Sequence, residues 1–128
     1  MVRAIFDVNP EIGRLEMRVQ GHAGFDEMGK DPVCAGASVL AMAAAQCIEL
    51  MGQAGRLRMD PRVTVSGGNV RVVCNPKPEC FDEAALILSV AHVGMMMLAE
   101  TYPGYAEVKV IGPAEAVSIE ESSTSRTD

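Results

Sequence analysis

Hydrophobic and polar positions alternate cleanly over residues 14–20. Leu15, Met17 and Val19 fall on one face, and Arg14, Glu16, Arg18 and Gln20 on the other. A period of two is the mark of a half-buried strand. Upstream, Val2, Ala4 and Phe6 share one parity, and "NPEIG" supplies turn residues between the two runs. Residues 2–20 therefore read as a hairpin. A second hairpin follows. Val63 and Val65 face one way, Val70, Val72 and Cys74 share a face on the partner strand, and Gly67-Gly68 joins them. Glycine tolerates the positive φ angles of two-residue hairpin turns. Residues 106–111 form a last alternating strand.

Between these runs the period lengthens. Residues 32–51 are dense in alanine, the best helix former, with Asp31 able to cap and Pro32 suited to the first helical position. A second helix is expected over residues 81–99, with Asp82 and Glu83 in its first turn and Tyr102-Pro103-Gly104 just beyond its end. The order ββαββαβ gives an α+β fold: one domain, a mainly antiparallel sheet and two long apolar helices. That domain is expected over residues 1–112. Residues 113–128 are polar and unpatterned and read as a disordered tail. Both helices are apolar over most of their circumference, more than one sheet can cover, so a homodimer burying a helix face is expected.

Composition narrows the function. The chain has 128 residues, 48% hydrophobic and 22% charged, with a net charge of -6 and no Trp. A domain of this size can bury a core without staples. Its acidity and its 4% aromatic content argue against direct nucleic-acid binding and stacking platforms. The N-terminus lacks the apolar core of a signal peptide, and the longest uncharged run, Pro32 to Ile48, reads as too short to span a bilayer. A cytoplasmic location without membrane partners follows as the default. Four cysteines in a reducing compartment are expected as free thiols, and no C-x-x-C suggests a metal site.

The chemistry concentrates in "GHAGFDEMGKDPVCAGAS", residues 21–38. Cysteine attacks as a thiolate, and with a free pKa of ~8.5 it needs help at neutral pH. A helix N-terminus and a nearby histidine both supply it. With Asp31 as cap, Cys34 falls in the first helical turn, where N–H groups lack intrahelical acceptors and could also hold an oxyanion. His22 ends the second strand and lies close enough in sequence to fold back beside Cys34. Gly21, Gly24 and Gly29 suit a loop that closes on a peptide. Asp31 orders the helix, yet its charge opposes a thiolate. Ser38, one turn after Cys34, shares its face and either meets the site or back-bonds to a carbonyl. Asp26 and Glu27 could attract a basic substrate, although exposed loop acids are commonly just solvated.

The remaining candidates are plainer. Cys47, among apolar helix residues, reads as core. Cys74 ends a strand and Cys80 precedes a helix, both structural by position. His92 reads as a core or interface histidine, and Met95, Met96 and Met97 as packing.

The pattern "GHA", a glycine loop, then "G-x-D-x-V-C-A-x-x-S" resembles the bacterial ribosomal-processing cysteine proteases, the Prp family. The matching residues are Gly21, His22, Ala23, Gly29, Asp31, Val33, Cys34, Ala35 and Ser38. The resemblance spans about residues 1–111. It implies a homodimeric cysteine endopeptidase with a Cys–His dyad, Cys34 as nucleophile and His22 as base, supported by Asp31 and Ser38. It also implies a substrate, the N-terminal extension of large-subunit ribosomal protein number twenty-seven, removed during ribosome maturation without metal or organic cofactor. Pro32 stands where the family commonly has isoleucine, and Gly36 where alanine is usual. Two other readings stay open at this level: a non-enzymatic dimeric peptide- or protein-binding module, and a thiol redox protein using Cys34.

Overall fold

In a computed structural model of the chain, which describes residues 1–27 and 29–112, the strand alternation becomes a single apolar sheet face. The strands are β1 (Val2–Asn9), β2 (Arg14–Gln20), β3 (Arg62–Ser66), β4 (Asn69–Cys74) and β5 (Ala106–Ile111). The helices are α1 (Pro32–Gln53) and α2 (Phe81–Thr101), in the order ββαββαβ, with one 3-10 turn at Pro78–Cys80 leading into α2. The expected tail, 113–128, lies outside the described residues.

The sheet order is β3-β4-β2-β1-β5. Within the first hairpin Phe6 faces Met17 and Ala4 faces Val19. Across the next pair Met17 faces Val72 and Val19 faces Val70. β5 joins parallel to β1, setting Val110 beside Phe6. These registers put all the apolar parities on one side. The β3–β4 turn closes between Ser66 and Asn69, with Gly68 at φ +73°.

Both helices lie on that apolar side. α1 buries Ala37, Ala41, Ala44 and Ile48, and α2 buries Ala84, Leu88, Ala91 and Met95. Those intervals of three and four trace one stripe of each helix. Truncating a fully buried side chain such as Leu88 to alanine costs about 2–5 kcal/mol. The helices approach closely at two glycines. A Cβ on Gly94 would lie 2.5 Å from Leu40, and one on Gly36 would lie 3.1 Å from Leu98. Glycine at 36 thus has a packing reason in this chain. α1 ends in a glycine cap: Gly55 has φ +73°, and the Arg56 N–H reaches back to the Met51 carbonyl at 3.0 Å.

Two expectations need correction. Each helix outlasts its expected end, and both are long and apolar enough to cross a membrane by length and composition. The uncharged run in α1 reads short because it stops at Glu49, a single charge that an α-helix carries easily. Each helix nevertheless lays one stripe on the sheet. Cys47 is exposed rather than core, because it falls off the Ala41–Ala44–Ile48 stripe, on the side turned from the sheet.

Candidate active site

Cys34 owes its position to Asp31. One carboxylate oxygen of Asp31 accepts from the backbone N–H of Val33 (2.9 Å) and of Cys34 (3.3 Å). The other accepts from Phe25 (2.9 Å) and Asp26 (3.1 Å). The cap therefore ties the glycine loop to the start of α1 with one side chain. Asp31 is buried. Burial pushes its carboxyl up, but the backbone donors on Asp26, Cys34, Val33 and Phe25 outweigh that and hold it below the usual range.

The cap also consumes the helix start. Pro32 has no N–H, Val33 and Cys34 donate to the Asp31 side chain, and Ala35 donates to the Asp31 carbonyl at 3.0 Å. The expected oxyanion donors at the first turn are thus occupied. A different N–H is aimed at the sulfur: Ala23 donates to Cys34 Sγ at 3.2 Å. Nothing in the residue type of Ala23 signals this, since the donor is backbone.

His22 lies one residue beyond β2, after Gly21, and the backbone of the Gly21-His22 pair is clamped on two sides. The Met1 amine donates to the His22 carbonyl at 2.6 Å, and the Gly21 N–H donates to the Gly68 carbonyl at 2.8 Å. Gly21 itself has φ +96°, and a Cβ there would strike the Met1 carbonyl. The exposed His22 ring leans on the β3–β4 turn, where a Cβ on Gly68 would lie 2.8 Å from His22 Nε2. Among the described residues no hydrogen bond joins the His22 ring to Cys34 Sγ.

The two side chains share a cavity of about 270 Å³. His22, Cys34 and Ser38 line it, with Met42 of α1 and Val65 and Asn69 of the hairpin. Cys34 is half-buried, as a thiol reached from one side must be. The Ser38 hydroxyl makes no hydrogen bond among the described residues, so it is not tied to the carbonyl one turn back. The structure thus brings together His22, Cys34 and Ser38, with Asp31 beneath them.

The loop is less free than its glycines suggest. Gly24 (φ +71°) and Gly29 (φ +89°) have open space where a Cβ would go, so backbone conformation alone calls for glycine there. Phe25 anchors the loop, its ring edge-on to Tyr102 at 4.9 Å and to Tyr105 at 5.0 Å. Three of the five aromatic residues meet at this point, a contact that sequence spacing does not announce.

The other candidates stay apart from the cavity. Burial pushes the Cys74 thiol up to about 11, which makes it inert. Cys80 is half-buried against the core. His92 is buried beneath the sheet, its ring edge-on to Phe6 at 5.3 Å. Among the described residues no group of three His, Cys, Asp or Glu side chains could hold a metal.

The family described as cysteine protease Prp matches residues 1–107. Among solved structures, the essential ribosomal processing protease Prp from S. aureus, with a covalently linked product peptide, is 27% identical. It superposes with a TM-score of 0.64, over 86% of this chain and 99% of that one. The same protease with a substrate peptide is 26% identical with a TM-score of 0.59, over 86% and 99%. SMU.848 from Streptococcus mutans shares the fold at 23% identity and a TM-score of 0.62, over 88% and 96%. No curated protein matches the chain.

Proposed function

The chain belongs to the cysteine protease Prp family, and on that premise we propose that it cleaves a ribosomal protein precursor with Cys34 as nucleophile and His22 as base. The observation that carries the reading is the single cavity lined by His22, Cys34 and Ser38, with the Ala23 N–H on the sulfur. The S. aureus relatives bind peptides, one of them covalently. The proposed substrate is the N-terminal extension of ribosomal protein number twenty-seven.

An extended peptide enters between the start of α1 and the β3–β4 turn. Peptide binding brings Cys34 and the His22 ring, still seated on the β3–β4 turn, into hydrogen-bond contact, and the ring takes the thiol proton. Catalytic hydrogen bonds commonly tighten in this way only when substrate binds. The Ala23 N–H stabilises the thiolate it faces, and the thiolate attacks the scissile carbonyl carbon. The carbon–nitrogen bond breaks as the imidazolium returns its proton to the leaving amine. Water, deprotonated by His22, then hydrolyses the thioester and restores the thiol. No step requires a metal or organic cofactor. Asp31 holds the loop and helix start in register, and Ser38 offers the peptide a hydroxyl. The substrate loop adjusts to the peptide about Gly24 and Gly29 while Phe25 stays anchored. The domain extends over residues 1–112 and works as a homodimer in the cytoplasm.

The test uses the full-length ribosomal protein precursor and reads the new N-terminus by mass spectrometry. One cut near the start is expected. Cys34→Ala should abolish it while the circular dichroism spectrum stays unchanged. His22→Ala should slow it ~10²–10⁴-fold, the usual contribution of a general base. An intact precursor alongside ready alkylation of Cys34 would favour the redox reading instead.

A further inference from the structure

The sheet face turned away from the helices carries charge of the sign the whole chain lacks. Its outward parities hold Arg3, Arg14, Arg18, Arg62, Arg71 and Lys109. That is six of the chain's eleven Lys and Arg residues, on a protein of net charge -6. The same face holds only Asp7, Glu16 and Glu107 as acids. Glu11 and Asp60 lie in turns at one end of it. No described helix lies over this face, since α1 and α2 occupy the other.

The cations are organised rather than scattered. Glu16 is buried at the centre, and three guanidiniums converge on it: Arg14 at 2.8 Å, Arg71 at 2.9 Å and Arg18 at 3.1 Å. One carboxylate cannot neutralise three arginines, so the cluster keeps an excess of two positive charges. Arg18 and Arg71 both use Nε for Glu16. Their terminal amino groups make no other bond among the described residues, and the side chains are 44% and 42% exposed. Pinning Nε fixes the plane of each fork before any ligand arrives. Such a fork matches a phosphate or carboxylate in bidentate geometry.

We propose that this open sheet face docks the phosphodiester backbone of double-stranded RNA. A five-stranded sheet is too broad to enter a narrow groove, whereas A-form RNA offers a wide, shallow minor groove flanked by phosphates. The face carries no aromatic ring, so base stacking plays no part and recognition is of backbone and shape. Gln20, Thr64, Ser66 and Asn69 lie beside the arginines on the same face, where their polar groups can meet 2′-hydroxyls. The net charge of the chain conceals all this because it averages over faces. The inference is independent of peptide cleavage, since Cys34 lies on the helix side.

The test measures fluorescence anisotropy of a labelled RNA duplex of about 20 base pairs with the full chain across a salt series. Binding should weaken with salt at a log–log slope of about -3 to -4, as three to four phosphate contacts imply. Arg62→Glu and Lys109→Glu are exposed changes with no bond to Glu16. Each should weaken binding at least ~10-fold and flatten the slope by about one. Lys77→Glu, off the face, should change neither, and Cys34→Ala should bind as the parent does. A DNA duplex of the same length should bind more weakly. No salt-dependent binding, binding indifferent to Arg62→Glu and Lys109→Glu, or equal affinity for poly-glutamate would each overturn the proposal.

Discussion

Residue by residue, the site is a set of side chains held by other people's backbones. His22 is positioned by the β3–β4 turn, so Gly68 is a positioning residue for the proposed base although it lies far from it in sequence. A methyl group at 68 would sit 2.8 Å from His22 Nε2. The ring must then move, and a misplacement near 1 Å can cost ~10²-fold in rate. Gly68→Ala is expected to lower kcat more than it raises KM, with Cys34 still readily alkylated. The φ of +73° adds about 1–2 kcal/mol of backbone cost, so a thermal melt separates instability from lost activity. A variant of full kcat would mean that the ring does not need this support. That Cys34 and His22 would line one cavity was legible in the sequence because loop, cap and strand end agree. Gly68 and the Ala23 N–H were not, because a turn glycine and a backbone donor look alike everywhere until the chain folds.

At the scale of the element, β2 shows both what alternation tells and what it hides. Its apolar positions are buried as its pattern demands, but Glu16 on the polar parity is buried too. The Arg71 hydrogen bond is the main cause of its lowered pKa, about 2. Burial opposes the shift, and Arg14 and Arg18 add to it. A carboxylate depressed in the folded state stabilises the fold above its unfolded pKa of about 4.5 and loses that as pH falls toward 2. Denaturant midpoints should therefore fall between pH 5 and pH 2 by an amount worth on the order of 2 kcal/mol. That figure is discounted because water screens the half-exposed arginines. Glu16→Gln should lower stability at neutral pH and flatten this part of the profile. An equally steep profile in Glu16→Gln would assign the acid sensitivity to other carboxylates.

For the whole molecule, the helix layer leaves an apolar surface uncovered. Val39, Leu86, Val90 and Met97 are 62–68% exposed. An apolar groove of about 210 Å³ runs between α1 and α2 beside Val39, Leu40, Cys47, Ile87 and Val90. A surface of this kind supports the proposed homodimer. Val90→Glu should shift the protein to monomer mass in sedimentation equilibrium, and the melting temperature of the parent should rise with concentration. A parent that is monomeric at all concentrations would refute the dimer.

The sequence by itself determined the seven elements, their order and the faces that meet. It could do so because period two, period three to four, Asp31-Pro32 and Gly67-Gly68 are local signals that survive folding unchanged. It also marked Cys34 and His22 as candidates, since a capped helix start and a strand-end glycine loop are readable one residue at a time. Only the tertiary structure decided the rest. It placed β5 parallel beside β1, turned Cys47 outward and occupied the helix-start N–H groups with Asp31. It set His22 on Gly68, and it gathered six cations on one face of an acidic chain. Each of these depends on which distant residues become neighbours. That is settled by sheet register and helix packing, which no local pattern carries.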